Sequence, residues 1–329
     1  MAVAARPPPG IQPAGLACLT LAGCSGNQSA LDAAGQEAAS IAQLFWVMTT
    51  GGAIVWLLVV ALLLYAARSR SHSEAAASRL ILWGGAVLPS AVVVGLLAYA
   101  LWLMPALRPF GAAAASGLRI EVTGSQYWWR VVYRSPDGVT VTSANEIRLP
   151  VGQRVELSLA SNDVIHSFWI PSLGGKMDMI PGRTNRLSLQ ATKPGTYRGP
   201  CAEYCGTSHA LMALQAVALP PEAFDRWLAA QAKPSPAVAA SGAELFRRHG
   251  CGACHAIAGT EAKGVLGPDL SHFGSRLTLA AGILPNTTDN IERFIADPDR
   301  IKPGVKMPAF GMLPREDIRV LASWLRRLE

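Results

Sequence analysis

Residues 201–212 read CAEYCGTSHALM, and the reading of this dozen decides how the middle of the chain is understood. Two thiols, Cys201 and Cys205, are followed by an imidazole, His209, and a thioether, Met212. The spacing of the cysteines would put both on one helical face, but Pro200 and Gly206 bracket them and favour a loop. Such a loop can turn both sulfurs inward with His209 and Met212. Zinc accepts Cys and His and gains little from a thioether, whereas soft sulfur together with imidazole favours copper. A blue-copper site needs one thiolate, so the second calls for its own explanation. On these residues alone a Cys201–Cys205 disulfide and a Met212 that merely packs stay open.

Upstream, from Leu118, short runs follow one another: LRIEVTG, YWWRVVY, EIRLP, RVELSLAS and RLSLQA, separated by Pro, Gly, Asp and Asn turns. In RVELSLAS, Val155, Leu157 and Leu159 alternate with polar residues, the period of a half-buried strand. Several such strands within about a hundred residues predict a sandwich or barrel.

Downstream, AKPSPAVAAS lacks apolar periodicity and reads as a linker. Beyond it, CGACH has the C-x-x-C-H spacing of covalent haem attachment: Cys251 and Cys254 would hold the haem and His255 would ligate its iron. A redox C-x-x-C is the rival, but the adjacent His and the missing βαβ context count against it. Two methionines could supply a sixth ligand, Met307 in GVKMPAF and Met312 in FGMLP. His249 and His272 read as surface histidines, and Phe246 and Trp324 as packing residues.

The chain has 329 residues, half of them hydrophobic and 16% charged, which points to membrane segments plus more than one folded unit. Its +7 formal charge is scattered and forms no basic run, so nucleic-acid binding is not expected. The six cysteines fall into three local pairs, which suggests three chemistries more than one disulfide framework. Arg6 ahead of GLACLTLAGC reads as an export signal too short to span a bilayer. Ile41 to Ala67 and Leu80 to Leu107 are each long enough to cross as helices. Arg68, Arg70 and Arg79 lie between them, whereas SGNQSALDAAGQEAAS ahead of the first carries no Lys or Arg. The positive-inside rule therefore places both termini outside a bacterial inner membrane.

CAEYCGTSHALM resembles C-x-E-x-C-x3-H-x2-M, the binuclear copper A loop of cytochrome c oxidase subunit II, and SNDVIHSFWIPSLGGKMDMIPGR resembles that family's upstream ligand segment. The resemblance implies that Cys201 and Cys205 bridge two coppers, that His166 and His209 bind one each, and that Met212 and the Glu203 carbonyl complete the set. It also implies that the Glu203 carboxylate reaches a magnesium ion at the border with the catalytic subunit. LAGC resembles a lipobox, with Cys24 lipidated and becoming the mature N-terminus; an ordinary signal peptide in which Cys24 is incidental is the alternative. K-M-P resembles the methionine loop of class I cytochromes c, which favours Met307 over Met312. GPDL resembles the segment in which a proline carbonyl, here that of Pro268, accepts from the proximal His.

The chain thus looks like subunit II of a cytochrome c oxidase with a fused cytochrome c, as in caa3-type enzymes. This implies a signal peptide over 1–23, a periplasmic segment over 24–40, a transmembrane helical hairpin over 41–107, an all-β cupredoxin-like Greek-key domain over 112–230, a linker over 231–238 and an all-α class I cytochrome c domain over 239–329. The implied partners are subunits I and III, a soluble or membrane cytochrome c as donor, and membrane lipid. Two departures stand out. Where the family has G-x-Q-W-Y-W, this chain has GSQYWWR, which puts Tyr127 at the point where electrons arrive, with Trp128 and Trp129 behind it. The glutamate that often precedes the second span is missing; Glu74 is the nearest acid. A copper A subunit of a nitric oxide reductase and a copper-binding lipoprotein are the alternatives; a quinol oxidase subunit II should lack the copper ligands.

Overall fold

The computed structural model describes residues 25–68, 73–107 and 117–329. Cys24, Cys18 and Arg70 lie outside the described residues.

The apolar segments form two long helices. Helix α1 spans Gln36–Arg68; α2 runs over Glu74–Leu82, widens through a π turn at Trp83–Val87 and continues over Leu88–Leu103. Large apolar side chains such as Trp56, Leu63 and Trp102 stand exposed along both. Such continuous apolar exposure suits lipid, where a helix satisfies its own backbone. Both helices start earlier than hydropathy predicts. For α1 the reason is Glu37, which favours the positive end of the helix dipole and is buried against the β domain. It pairs with Arg154 and accepts from the backbone N–H of Gln190 at 3.0 Å.

The middle domain is built from ten strands: β1 Arg119–Ser125, β2 Trp128–Arg134, β3 Thr140–Ala144, β4 Glu146–Pro150, β5 Arg154–Ser161, β6 His166–Phe168, β7 Met177–Met179, β8 Asn185–Gln190, β9 Gly195–Pro200 and β10 Ala213–Leu219. One sheet has the order β3-β2-β1-β5-β8, a second the order β4-β10-β9, and β6 pairs with β7. The pairs β1·β5 and β4·β10 are parallel, and the other strand pairs of this domain are antiparallel. In β5 the predicted alternation holds: Val155, Leu157 and Leu159 are buried and the residues between them are not. They meet Ile147, Leu149 and Leu214 of the second sheet in one core. Helix α3 (Pro221–Gln231) closes the domain, with Trp227 edge-on to Tyr133 at 5.1 Å between ring centroids.

The C-terminal domain is helical: α4 Gly242–Arg248, α5 Thr288–Ala296, α6 Pro298–Ile301 and α7 Arg315–Arg326. Helices α4 and α7 cross where Gly242 meets Trp324; a Cβ on Gly242 would lie 2.2 Å from the Trp324 Cβ. Phe246 and Trp324 pack as predicted, their rings 5.4 Å apart. A short hairpin pairs β11 (Thr278–Leu279) with β12 (Leu284–Pro285).

In the predicted linker Ser235 is buried, a 3-10 turn covers Pro236–Ala239, and the Ala237 carbonyl accepts from the Trp324 indole at 3.0 Å. One expectation needs correction. His272 is not a surface histidine but is 5% exposed, and burial lowers its pKa. His249 is half-buried and within 2.9 Å of the Asp317 carboxylate.

Candidate metal centres

The copper-type loop leaves β9 at Pro200, carries Cys201 and Cys205, turns through a 3-10 segment at His209–Leu211 and enters β10 after Met212. Gly206, with φ +124, makes the turn between the second cysteine and His209. Both thiols are buried and unbridged, 3.9 Å apart. His166 Nδ1 stands 3.9 Å from the Cys201 sulfur, and His209 Nδ1 stands 3.7 Å from the Cys205 sulfur. Met212 Sδ is 3.8 Å from Cys205, and the Glu203 carbonyl is 3.3 Å from Cys201. The ligand set drawn from the sequence therefore converges on one pocket. The Glu203 carboxylate turns elsewhere, accepting from the Tyr204 N–H at 3.3 Å.

The donor set suits a cationic guest. Contact with Cys205 and with His166 pulls the Cys201 thiol well below its ordinary range, while the same contact drives Cys205 up. One negative charge is thus easily held there. A second thiolate beside the first needs positive charge between them, and two sulfurs 3.9 Å apart can each lie about 2.3 Å from a metal bound between them.

Three residues around this pocket escaped the sequence reading. Asp163 Oδ1 is 2.9 Å from His166 Nε2, which leaves Nδ1 to face the sulfurs. Burial disfavours a charged His166, but the bonds to Cys201 and Asp163 outweigh it and raise its pKa. An acid three residues before the histidine in SNDVIH was the available signal. Gly124 lies under the same ring, where a Cβ would come within 2.8 Å of it. Gln126 donates its side-chain N–H to the Cys205 carbonyl at 2.7 Å.

Of the three aromatics, Trp129 is fully buried, with its ring 6.0 Å from that of His166 and 6.1 Å from that of Phe168. Trp128 is half-buried, with the Arg130 guanidinium 5.0 Å above it. Tyr127 is 6% exposed, and its hydroxyl lies against Gly206.

In the helical domain, an apolar cavity is lined by Cys251, His255, Met307, Leu270, Ile295 and Leu321 among others. His255 Nδ1 is 2.7 Å from the Pro268 carbonyl, the partner expected from GPDL, which leaves Nε2 as the free ligand atom. Burial lowers the His255 pKa and so favours the neutral, ligating form. Gly267 permits this approach, since a Cβ there would sit 2.5 Å from the ring. Met307 lines the cavity, whereas Met312 is 77% exposed. These apolar walls, with the Cys251 thiol among them, suit a flat apolar group.

Residues 135–218 match the family model described as cytochrome c oxidase subunit II, periplasmic domain, and residues 239–329 match the one described as cytochrome c. The two matches fall on the β domain and on the helical domain respectively. A cytochrome c oxidase subunit 2 of Alkalihalophilus pseudofirmus is 39% identical over 214 residues, 64% of this chain and 61% of that one. The protein of the same name from Bacillus subtilis is 34% identical over 233 residues, 67% and 64% of the respective chains. The chain thus spans a little under two thirds of the length of these relatives. Among solved structures, the periplasmic domain of subunit II of cytochrome oxidase from Bradyrhizobium japonicum is 30% identical with a TM-score of 0.33, covering 36% of this chain and 96% of that one. Within the β domain the exposed aromatic beside the loop is Tyr204, 73% exposed, its ring 5.6 Å from that of His209.

Proposed function

We propose that this chain is the electron-transfer subunit of an aa3-type terminal cytochrome c oxidase, anchored by α1 and α2 with both soluble domains on the periplasmic side. The observation that carries the reading is the convergence of His166, Cys201, Cys205, His209, Met212 and the Glu203 carbonyl on one pocket, followed in the same chain by a C-x-x-C-H haem cavity. Bound binuclear copper A and covalent haem c would supply two one-electron carriers in series, filled by a cytochrome c donor and drained by haem in subunit I, where oxygen is reduced to water with proton pumping.

The residues divide the remaining work. Cys251 and Cys254 would hold the haem, and His255 and Met307 would ligate its iron, where a thioether would stabilise the ferrous form and raise the potential. Asp163 holds the His166 tautomer, and the buried pocket excludes water, so the ligands change little between charge states. Tyr127, Trp128 and Trp129 lie on the side where electrons arrive. The Glu203 carboxylate is assigned to magnesium at the border with subunit I, Cys24 to lipidation, and subunit III to the assembly, all on the family resemblance.

The test is a metal count and an EPR spectrum of the full chain in detergent with haem attached. Two coppers sharing one unpaired electron beside a low-spin haem are expected. One localised copper, or none with Cys201 and Cys205 oxidised to a disulfide in folded protein, would overturn the copper assignment.

A further inference from the structure

We infer that the groove between the start of α1 and the loop after β6 is a seat for one phospholipid whose headgroup carries both a phosphate and a primary ammonium, with an acyl chain in the groove and the headgroup on Lys176 and Asp178. This rests on the membrane reading of α1 under the proposed function and uses neither metal centre.

Two segments wall the groove. One is the first two turns of α1, with Ala38 and Ile41; the other is the loop that follows β6, with Trp169, Pro171, Gly175 and Lys176. The walls are bonded to one another. The Ala34 N–H donates to the Ser172 carbonyl at 2.7 Å, and the Ala38 N–H donates to the Leu173 carbonyl at 3.2 Å. Gly35 permits this approach, since a Cβ there would lie 2.1 Å from the Leu173 carbonyl oxygen. The loop is itself a closed turn, in which the N–H groups of Leu173 and Gly174 donate to the Ile170 carbonyl at 2.9 and 3.0 Å. Trp169 is fixed by its indole N–H, which donates to the Gly174 carbonyl at 3.2 Å. The groove is therefore formed before any guest arrives, as small-molecule sites usually are.

Position and charge choose the guest. Ala38 is buried against the β domain, but from Ile41 onward α1 bares its apolar side chains, Phe45 and Trp46 being the next. The groove thus opens at the level where lipid begins, and Trp169 lies beside that level, where tryptophan is favoured in membrane proteins. An acyl chain laid there keeps water off Ala38, Pro171 and the Trp169 ring. At the mouth, Lys176 Nζ is 3.3 Å from Asp178 Oδ1, with the two side chains about half exposed. So exposed a pair adds little to stability, but it presents a cation and an anion side by side. A headgroup with a phosphate and an ammonium is its complement: Lys176 donates to the phosphate and Asp178 accepts from the ammonium. A purely anionic headgroup would set its phosphate against Asp178 with nothing to donate, and a quaternary ammonium has no N–H. Asp178 is held in place by β7, where it pairs with Ser167 of β6.

The test uses the full chain, purified in detergent and stripped of lipid. Phosphatidylethanolamine, phosphatidylglycerol and phosphatidylcholine with identical acyl chains are added singly, and bound lipid is counted by native mass spectrometry. One phosphatidylethanolamine should be retained at least about tenfold more tightly than either of the others, the discrimination expected of one hydrogen bond between charged groups. A photoreactive acyl chain on that lipid should label the peptide holding residues 169–176. Asp178→Asn and Lys176→Gln should each abolish the preference. Gly175→Leu should expel the lipid while the thermal melt keeps its midpoint, because a Cβ at Gly175 meets only Ile41 Cδ1, at 3.6 Å, and the longer side chain can run into the groove. Equal retention of the three lipids, labelling confined to the exposed lengths of α1 and α2, or a bound lipid untouched by Gly175→Leu would overturn the seat. So would an assembled oxidase that holds no lipid there and in which a photoreactive residue put in place of Gly175 crosslinks to protein. A chain that stays monomeric in buffer without detergent would defeat the membrane reading itself, whereas the lipid comparison, made in detergent, decides the seat alone.

Discussion

Replacing Asp163 by asparagine tests whether a residue outside the ligand set controls the copper-type pocket. His166 is wholly buried, with Nε2 2.9 Å from Asp163 Oδ1 and Nδ1 toward the sulfurs, so the carboxylate fixes the tautomer and strengthens the donor. Removing such a partner typically costs about 10- to 100-fold in metal affinity, or about 1.4–2.7 kcal/mol. The structure adds a second cost. Oδ1 also accepts from the Val164 N–H and Oδ2 from the Gln126 N–H, each at 2.8 Å. In the amide one of those oxygens becomes NH2, so whichever way the new side chain settles, one donor faces a donor, at about 1–3 kcal/mol. Copper affinity of Asp163→Asn, measured by competition with a chelator, should therefore fall at least about tenfold, and the apo domain should melt earlier. Affinity within about threefold of wild type with an unchanged EPR spectrum would refute the reasoning, because it would mean that His166 is oriented by packing alone.

Gly242→Ala should destabilise the cytochrome domain by about 1–3 kcal/mol, since the new methyl would lie 2.2 Å from the Trp324 Cβ; a Tm followed at the haem band should fall by at least about 4 °C. Met307→Leu should convert the haem from low spin to high spin, while Met312→Leu, at a position 77% exposed, should leave the spectrum alone; the reverse result would exchange the two assignments. Burial pushes Lys302 down to about 7, so between there and the ordinary lysine range the unfolded chain binds a proton that the folded chain lacks. Stability should accordingly rise with pH across that window, by up to about 1.4 kcal/mol per unit, and denaturant melts should lose this rise in Lys302→Met.

The parts of the protein legible in sequence are those where chemistry imposes spacing. Cys201, Cys205, His209 and Met212 lie within one loop, and C-x-x-C-H fixes three ligands in five residues, so neither needed knowledge of the fold. His166 was reachable only through the family resemblance, because a lone histidine far upstream carries no signal until β6 brings it beside the loop. Strands β1, β2, β4, β5 and β8 were visible through alternation or β-branched content. Strand β10, ALQAVAL, was not: its alanines have little strand preference, and its burial comes from being central between β4 and β9. The packing of the linker was hidden for a similar reason. Pro, Ala and Ser look loose by composition, yet Ala237 and Val238 pack on the cytochrome core and Trp324 needs a carbonyl there for its indole.

The contacts between the β domain and the helical domain also share a feature that sequence alone could not disclose: most fall one residue from a ligand or from the backbone around it. Ser208, whose hydroxyl donates to the Pro303 carbonyl, precedes His209; Ala213, whose N–H donates to the Ala281 carbonyl, follows Met212; and Lys306, 3.7 Å from the Asp163 carboxylate, precedes Met307. Val265, whose carbonyl accepts from Arg130, follows Gly264, whose missing side chain lets it lie on the Cys254–His255 backbone, where a Cβ would come within 2.3 Å. Consecutive Cα atoms are about 3.8 Å apart, so the boundary runs within one residue of the ligands on both sides. Tyr127 is the residue held between the halves, with Gly206 of one domain and Gly304 of the other against its ring and hydroxyl. A shift of the cytochrome domain would therefore move ligand-bearing backbone on both sides. Docking and ligand geometry in this chain are one mechanical unit, and a variant that loosens the boundary should disturb the spectra of both centres before either domain unfolds.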